Sequence, residues 1–180
     1  MKRLCVYCGS RMGDRPAYRE AAECVGAELA RRGVGLVYGG GRIGLMGVVA
    51  DACLRGGGEV IGVIPGGLFA DEIAHTGTDL RVVGSMHERK ALMASLSDAF
   101  LALPGGIGTF EEFFETLTWA QLGIHTKPIG LLDVGGYYGP LLEMIERCES
   151  EGFLRRQEGS RFITGNEAVA LLDLLLADAP

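Results

Sequence analysis

The run Pro104-Gly105-Gly106-Ile107-Gly108-Thr109 closes an apolar stretch and is followed by Glu111, Glu112 and Glu115 in a helix-forming sequence. Three glycines at a helix start let backbone N–H groups converge on an anion, and the helix dipole adds to the attraction. No Lys-Ser/Thr follows, so the loop is not of the Walker type. The same residues also fit a plain capping box, in which Glu112 only satisfies the Thr109 amide. A second glycine run, Gly39-Gly40-Gly41-Arg42-Ile43-Gly44, has the formal G-x-G-x-x-G spacing. The acidic residue that a dinucleotide ribose requires is missing, since the next apolar run ends Val63-Ile64-Pro65.

Arg89 stands at the centre of a helical stripe made of Met86, Leu92, Met93 and Leu96. A guanidinium on an apolar face needs a partner, because an unpaired buried charge is strongly destabilising. That partner is either a structural carboxylate or a bound anion or catalytic carboxylate. In the following helix, expected over Thr109–Leu122, Phe110, Phe113, Phe114, Leu117 and Ala120 form the apolar face at 100° per residue. Glu112, Glu115, Thr116 and Trp119 fall on the other side. A tryptophan among carboxylates suggests a pocket wall or a subunit contact.

These segments belong to an alternation of strands and helices. Leu4–Tyr7, Val34–Tyr38, Val60–Ile64, Ala99–Leu103 and Ile129–Leu132 read as strands buried on both faces, with Arg81–Gly84 and Phe162–Thr164 as weaker candidates. Helical patterns run from Asp14 and Pro16 to Gly33, and over Gly44–Arg55, Met86–Ser97, Thr109–Leu122, Tyr138–Ser150 and Asn166–Ala177. The alternation predicts an α/β fold: a doubly wound parallel sheet with helices on both faces, as a single domain over residues 1–180. Ligands of such sheets sit beyond the carboxyl ends of the strands, where both glycine turns fall.

Composition narrows the classes further. The 180 residues carry 17 Lys+Arg against 23 Asp+Glu, a net charge of −6, which disfavours nucleic acid as a partner. The longest uncharged stretch, Ala99–Phe110, is too short to span a bilayer and contains Pro104. Neither a secretory leader nor a membrane partner is expected. Five scattered cysteines, an odd number, fit reduced thiols in a cytoplasmic protein. Cys5-x-x-Cys8 lies in an extended run, where residues three apart face opposite ways, so neither a metal nor a redox role is expected.

Several motifs together resemble the Lonely Guy (LOG) family. Pro104-Gly105-Gly106-Ile107-Gly108-Thr109-Phe110-Glu111-Glu112 is similar to its P-G-G-x-G-T-x-x-E signature, and Met86-His87-Glu88-Arg89-Lys90 to its M-H-x-R-K motif. Cys8-Gly9-Ser10, Tyr38-Gly39-Gly40-Gly41, Gly44-Leu45-Met46-Gly47 and Trp119–His125 match further segments, and the likeness weakens after Gly152. The resemblance implies a Rossmann-like, homodimeric phosphoribohydrolase that needs no cofactor. Such an enzyme cleaves the N-glycosidic bond of cytokinin riboside 5′-monophosphates to an N6-substituted adenine and ribose 5-phosphate. Carried onto this chain, Arg89 and Glu112 are the catalytic pair. Gly106, Ile107, Gly108 and Thr109 line the phosphate and ribose site, with Glu111 beside them. Glu72, Lys90 and Thr118 match substrate-contact positions, and Ser10 and Gly41 face the same cleft.

Two other readings compete. A non-catalytic nucleotide or cofactor carrier on the same scaffold would keep the loop without needing both Arg89 and Glu112. A pyridoxal-phosphate lysine decarboxylase would need a Schiff-base lysine, and the chain offers only Lys2, Lys90 and Lys127.

Overall fold

The structure is a computed structural model and describes residues 2–67, 74–155 and 162–177. Among the described residues seven strands form one sheet: β1 (Arg3–Tyr7), β2 (Gly35–Tyr38), β3 (Val60–Pro65), β4 (Asp79–Val83), β5 (Ala99–Ala102), β6 (Ile129–Leu132) and β7 (Ile163–Gly165). Their spatial order is β4-β3-β2-β1-β5-β6-β7, and every neighbouring pair is parallel. The helices among the described residues are α1 (Pro16–Arg31), α2 (Gly44–Arg55), α3 (Met86–Leu96), α4 (Ile107–Gln121), α5 (Gly139–Ser150) and α6 (Ala168–Ala177), with a 3-10 turn at Val134–Gly136.

Alternation along the central strands builds two cores. Leu4 and Val6, Leu36 and Tyr38, and Ala99 and Leu101 face one side, packed under α1, α2 and α6 through Val25, Leu29, Val49, Cys53 and Leu172. Cys5 and Tyr7, Val37, Ile61 and Val63, and Phe100 and Ala102 face the other, under Met93, Phe113, Ala120 and Tyr138. Cys5 and Cys8 thus point into opposite cores. This is the expected Rossmann-like architecture. The two weaker strands are the sheet edges, β4 and β7, where among the described residues one flank has no strand partner and the apolar run is correspondingly diluted.

The winding reverses between β1 and β5, so the turns after these strands separate and leave a crevice. Gly9 N–H donates to Pro104 O across it (3.1 Å), and Leu45 N–H at the start of α2 donates to Gly9 O (3.0 Å). Gly44, at φ +62°, has no room for a side chain: a Cβ there would stand 2.3 Å from the Ser10 carbonyl carbon. The second glycine turn therefore braces the loop after β1.

Candidate active site

The crevice is a cleft of about 580 Å³ lined by the loop Cys8–Gly13, by Leu45 and Met46, by Met86 and Arg89, by Pro104–Thr109, and by Glu111, Glu112, Tyr18 and Tyr137. At its centre Arg89 and Glu112 face each other from α3 and α4. Arg89 Nη1 donates to Glu112 Oε1 at 2.7 Å, and both side chains are 11% exposed. Arg89 Nε donates to the Val63 carbonyl of β3 (3.0 Å). The Nη2 edge lies over Gly39, where a Cβ would come within 2.3 Å.

Burial pushes the Glu112 carboxyl above the ordinary carboxylate range, and the Arg89 charge and hydrogen bond pull it back part of the way. The α4 turn carrying Glu112 is anchored from below. Thr116 Oγ1 donates to Glu112 O (2.9 Å) and lies 3.0 Å from the Tyr7 hydroxyl at the end of β1.

Helix α4 begins at Ile107, with Gly106 as its N-cap and no side chain capping it. This corrects two sequence expectations. The helix starts before Thr109, and there is no Thr109–Glu112 capping box, because the Glu112 carboxylate is turned to Arg89. The first bond of the helix start runs from Phe110 N–H to Gly106 O (3.1 Å), so the amides of Ile107, Gly108 and Thr109 precede the helix ladder. Gly105 is held close to its surroundings: a Cβ would meet Thr109 Oγ1 at 2.1 Å and Gly9 N at 2.8 Å.

The helical wheel of α4 also needs correction. Its buried residues are Thr109, Phe113, Thr116 and Ala120, whereas Phe114 is 39% exposed. Hydrogen bonding of the Thr116 hydroxyl inside the fold lets a polar residue take an inner position that hydropathy assigns outward. Trp119, on the side opposite the apolar face, is half-buried. On α3, Met93 and Arg89 are buried as expected, but Met86 is 49% exposed and forms cleft wall instead of core.

Ser10, Gly106, Ile107, Gly108, Thr109 and Glu111 line the cleft. Lys90 lies beside it, its ammonium paired with Glu111 and, at 3.0 Å, with Glu115. Gly41 is buried and bridges to Ala74, and Thr118 is exposed, donating to Phe114 O (2.7 Å). Glu72 lies outside the described residues. Sequence reasoning missed Val63, Gly39 and Tyr137.

None of the three lysines lines the cleft. Lys127 donates to Ala94 O and Lys2 to Leu176 O. The hydrogen bond to Glu111 holds the Lys90 ammonium above its usual pKa, the reverse of what a Schiff-base amine needs.

Fold and site together define a Rossmann-like α/β protein whose cleft at the topological switch point joins an amide-rich helix start to a buried arginine–carboxylate pair. The sequence profile of the family described as "Possible lysine decarboxylase" matches residues 46–175. A probable cytokinin riboside 5′-monophosphate phosphoribohydrolase of Oryza sativa subsp. japonica is 53% identical over 175 residues, covering 97% of this chain and 77% of that protein. A cytokinin riboside 5′-monophosphate phosphoribohydrolase of Arabidopsis thaliana is 54% identical over 154 residues, 85% of this chain and 72% of that protein. The chain belongs to this family, the one its Lonely Guy motifs resemble.

Among solved structures, the molybdenum cofactor binding protein from Rippkaea orientalis superposes with a TM-score of 0.73 at 19% identity, covering 98% of this chain and 97% of that one. The Moco carrier protein from Chlamydomonas reinhardtii gives 0.72 at 22%, covering 98% of each. These two share the fold.

Proposed function

We propose that the protein is a phosphoribohydrolase that cleaves the N-glycosidic bond of N6-substituted adenosine 5′-monophosphates, such as cytokinin riboside 5′-monophosphates. The products are the free base and ribose 5-phosphate. The observation that carries this reading is the buried Arg89–Glu112 pair one helical turn beyond the amides of Gly106–Thr109. A carrier needs the amides; it has no use for a desolvated carboxylate poised beside them.

The amides of the helix start hold the 5′-phosphate, so binding energy from a non-reacting group positions the ribose. As the C1′–N9 bond breaks, positive charge grows on the sugar, and the Glu112 carboxylate stabilises it and accepts the proton of the water that adds to C1′. The base leaves with the bonding electron pair and takes up a proton. The Arg89 charge and hydrogen bond oppose the effect of burial and favour the ionised form of Glu112, and they fix its direction. Glu111 and Ser10 contact ribose or phosphate from the cleft walls, and the family resemblance adds Glu72, Lys90, Thr118 and Gly41 as substrate contacts.

The reading extends to assembly. The end of α4 and the turn beyond it expose Leu122 (70%) and Ile124 (64%) next to half-buried Trp119, and we propose that this face joins two copies in a homodimer. Among the described residues no helix is long and apolar enough to cross a membrane. All five cysteines are free, which supports a cytoplasmic location. Neither nucleic acid nor a metal or organic cofactor has a role in this reading. The experiment is incubation of the purified protein with AMP and with an N6-substituted AMP: release of free base supports it, and binding without release overturns it in favour of a carrier.

A further inference from the structure

The segment Asp133–Tyr138, after β6, reaches back to the loop after β5. Its Gly135 and Gly136 have positive φ, +62° and +76°, and Asp133 Oδ1 accepts the Tyr138 N–H at 2.6 Å. This tight turn presents two consecutive tyrosines to the same loop. Tyr138 OH donates to Leu103 O (2.6 Å), and Tyr137 OH donates to Gly105 O. Gly9 N–H takes the carbonyl between them, Pro104 O. Three successive carbonyls are thus pinned by donors from two other parts of the chain. The Tyr137 ring is itself fixed edge-on between Tyr18 (centroids 5.7 Å apart) and Tyr138 (4.9 Å).

In a trans peptide the C=O and the following N–H point in opposite directions. Holding the Gly105 carbonyl on Tyr137 therefore sets the direction of the Gly106 N–H, the N-cap amide of α4 and a wall of the cleft. A glycine pair leaves this peptide free to rotate, so the loop's own sequence cannot fix it.

We propose that Tyr137 is a positioning residue for the anion cradle, orienting the Gly105–Gly106 peptide for the 5′-phosphate. This rests on the cradle assigned under the proposed function. Tyr137→Phe removes the hydroxyl and keeps the ring contacts. Its dissociation constants for ribose 5-phosphate, AMP and adenosine are compared with wild type by calorimetry.

The expected result is a threefold to tenfold weakening for ribose 5-phosphate and AMP, with adenosine unchanged, the loss of one oriented hydrogen bond. A general loosening of the fold would weaken adenosine equally; that result, or unchanged affinity for all three, overturns the inference. The two readings fail separately. A wild-type protein that binds ribose 5-phosphate but releases no base from AMP overturns the hydrolase, while the Tyr137→Phe comparison still decides the cradle. A wild type that does not bind ribose 5-phosphate overturns the cradle and this inference together.

Discussion

Gly39 lies directly against the Arg89 guanidinium: a methyl group on its α-carbon would stand 2.3 Å from Nη2. The end of β2 is shaped around the cation that faces Glu112. Because the obstructed atom is the end of a flexible side chain, a Gly39→Ala chain folds and displaces the guanidinium instead. We expect at least about a tenfold loss of kcat, since misplacing a reacting group by about an ångström costs up to about 10²-fold, and a lowered melting temperature, because Glu112 loses its buried partner. Steady-state kinetics with AMP beside a thermal melt checks both.

Glu112→Gln separates chemistry from structure. Glutamine can still accept the Arg89 hydrogen bond, yet it carries no charge and takes no proton from water. Loss of a positioned acid–base group costs about 10²–10⁴ in rate. The expected variant binds AMP and loses at least about a hundredfold in kcat. Turnover within a few-fold of wild type would reduce Glu112 to a structural partner of Arg89.

The pH dependence follows from the same pair. Burial raises the folded-state pKa of Glu112 above the usual carboxylate value, so activity should fall off on acidification at a higher pH than an exposed glutamate would give. Displacing Arg89 with Gly39→Ala removes the main opposing influence, and the acid limb of the kcat profile should move further up. For stability the sign is reversed: a raised carboxylate pKa means that folding is favoured below the unfolded-state pKa and is progressively penalised as pH rises through the window up to the folded value.

Substrates lacking the phosphate should be poor. Without it, the amides of Ile107–Thr109 have no charge to hold. The kcat/KM for AMP should exceed that for adenosine by at least about a hundredfold, about 2.7 kcal/mol of transition-state stabilisation. Parity between the two would sink the phosphate cradle.

Leu122→Asp tests the assembly. Leu122 is 70% exposed on the proposed contact face, so a carboxylate there should leave the monomer fold intact and shift light-scattering mass from two chains to one. A wild-type chain that is monomeric and active at dilution would refute the dimer.

The sheet was legible because burial on both faces forces continuous apolar runs, and only its one-sided edges, β4 and β7, were faint. Arg89 was legible for the converse reason: a charge on an apolar stripe demands a partner. What hydropathy could not report was which hydrogen bonds were made. Thr109-x-x-Glu112 has capping-box spacing, yet the carboxylate goes to a residue 23 positions away. Thr116 reads as polar and sits inside because its hydroxyl is used there. Val63 contributes through its carbonyl and Gly39 through the absence of a side chain, and neither property is encoded by residue type alone. Gly135-Gly136-Tyr137-Tyr138 did carry a signal, two turn-forming glycines before two aromatics with hydroxyls, but its target lay more than thirty residues back along the chain.

The cleft draws on the loops after β1 and β5, on Gly39 after β2 and Val63 of β3 behind Arg89, on four helices, and on the turn after β6. Every strand pairing that brings these together is parallel and therefore joins distant parts of the chain, the slow class of contact to form. Catalysis is consequently a clock for finished folding. In refolding from denaturant, turnover should be the last signal to recover, trailing secondary structure, and any fragment ending before Tyr137 should remain silent however much of the sheet it retains.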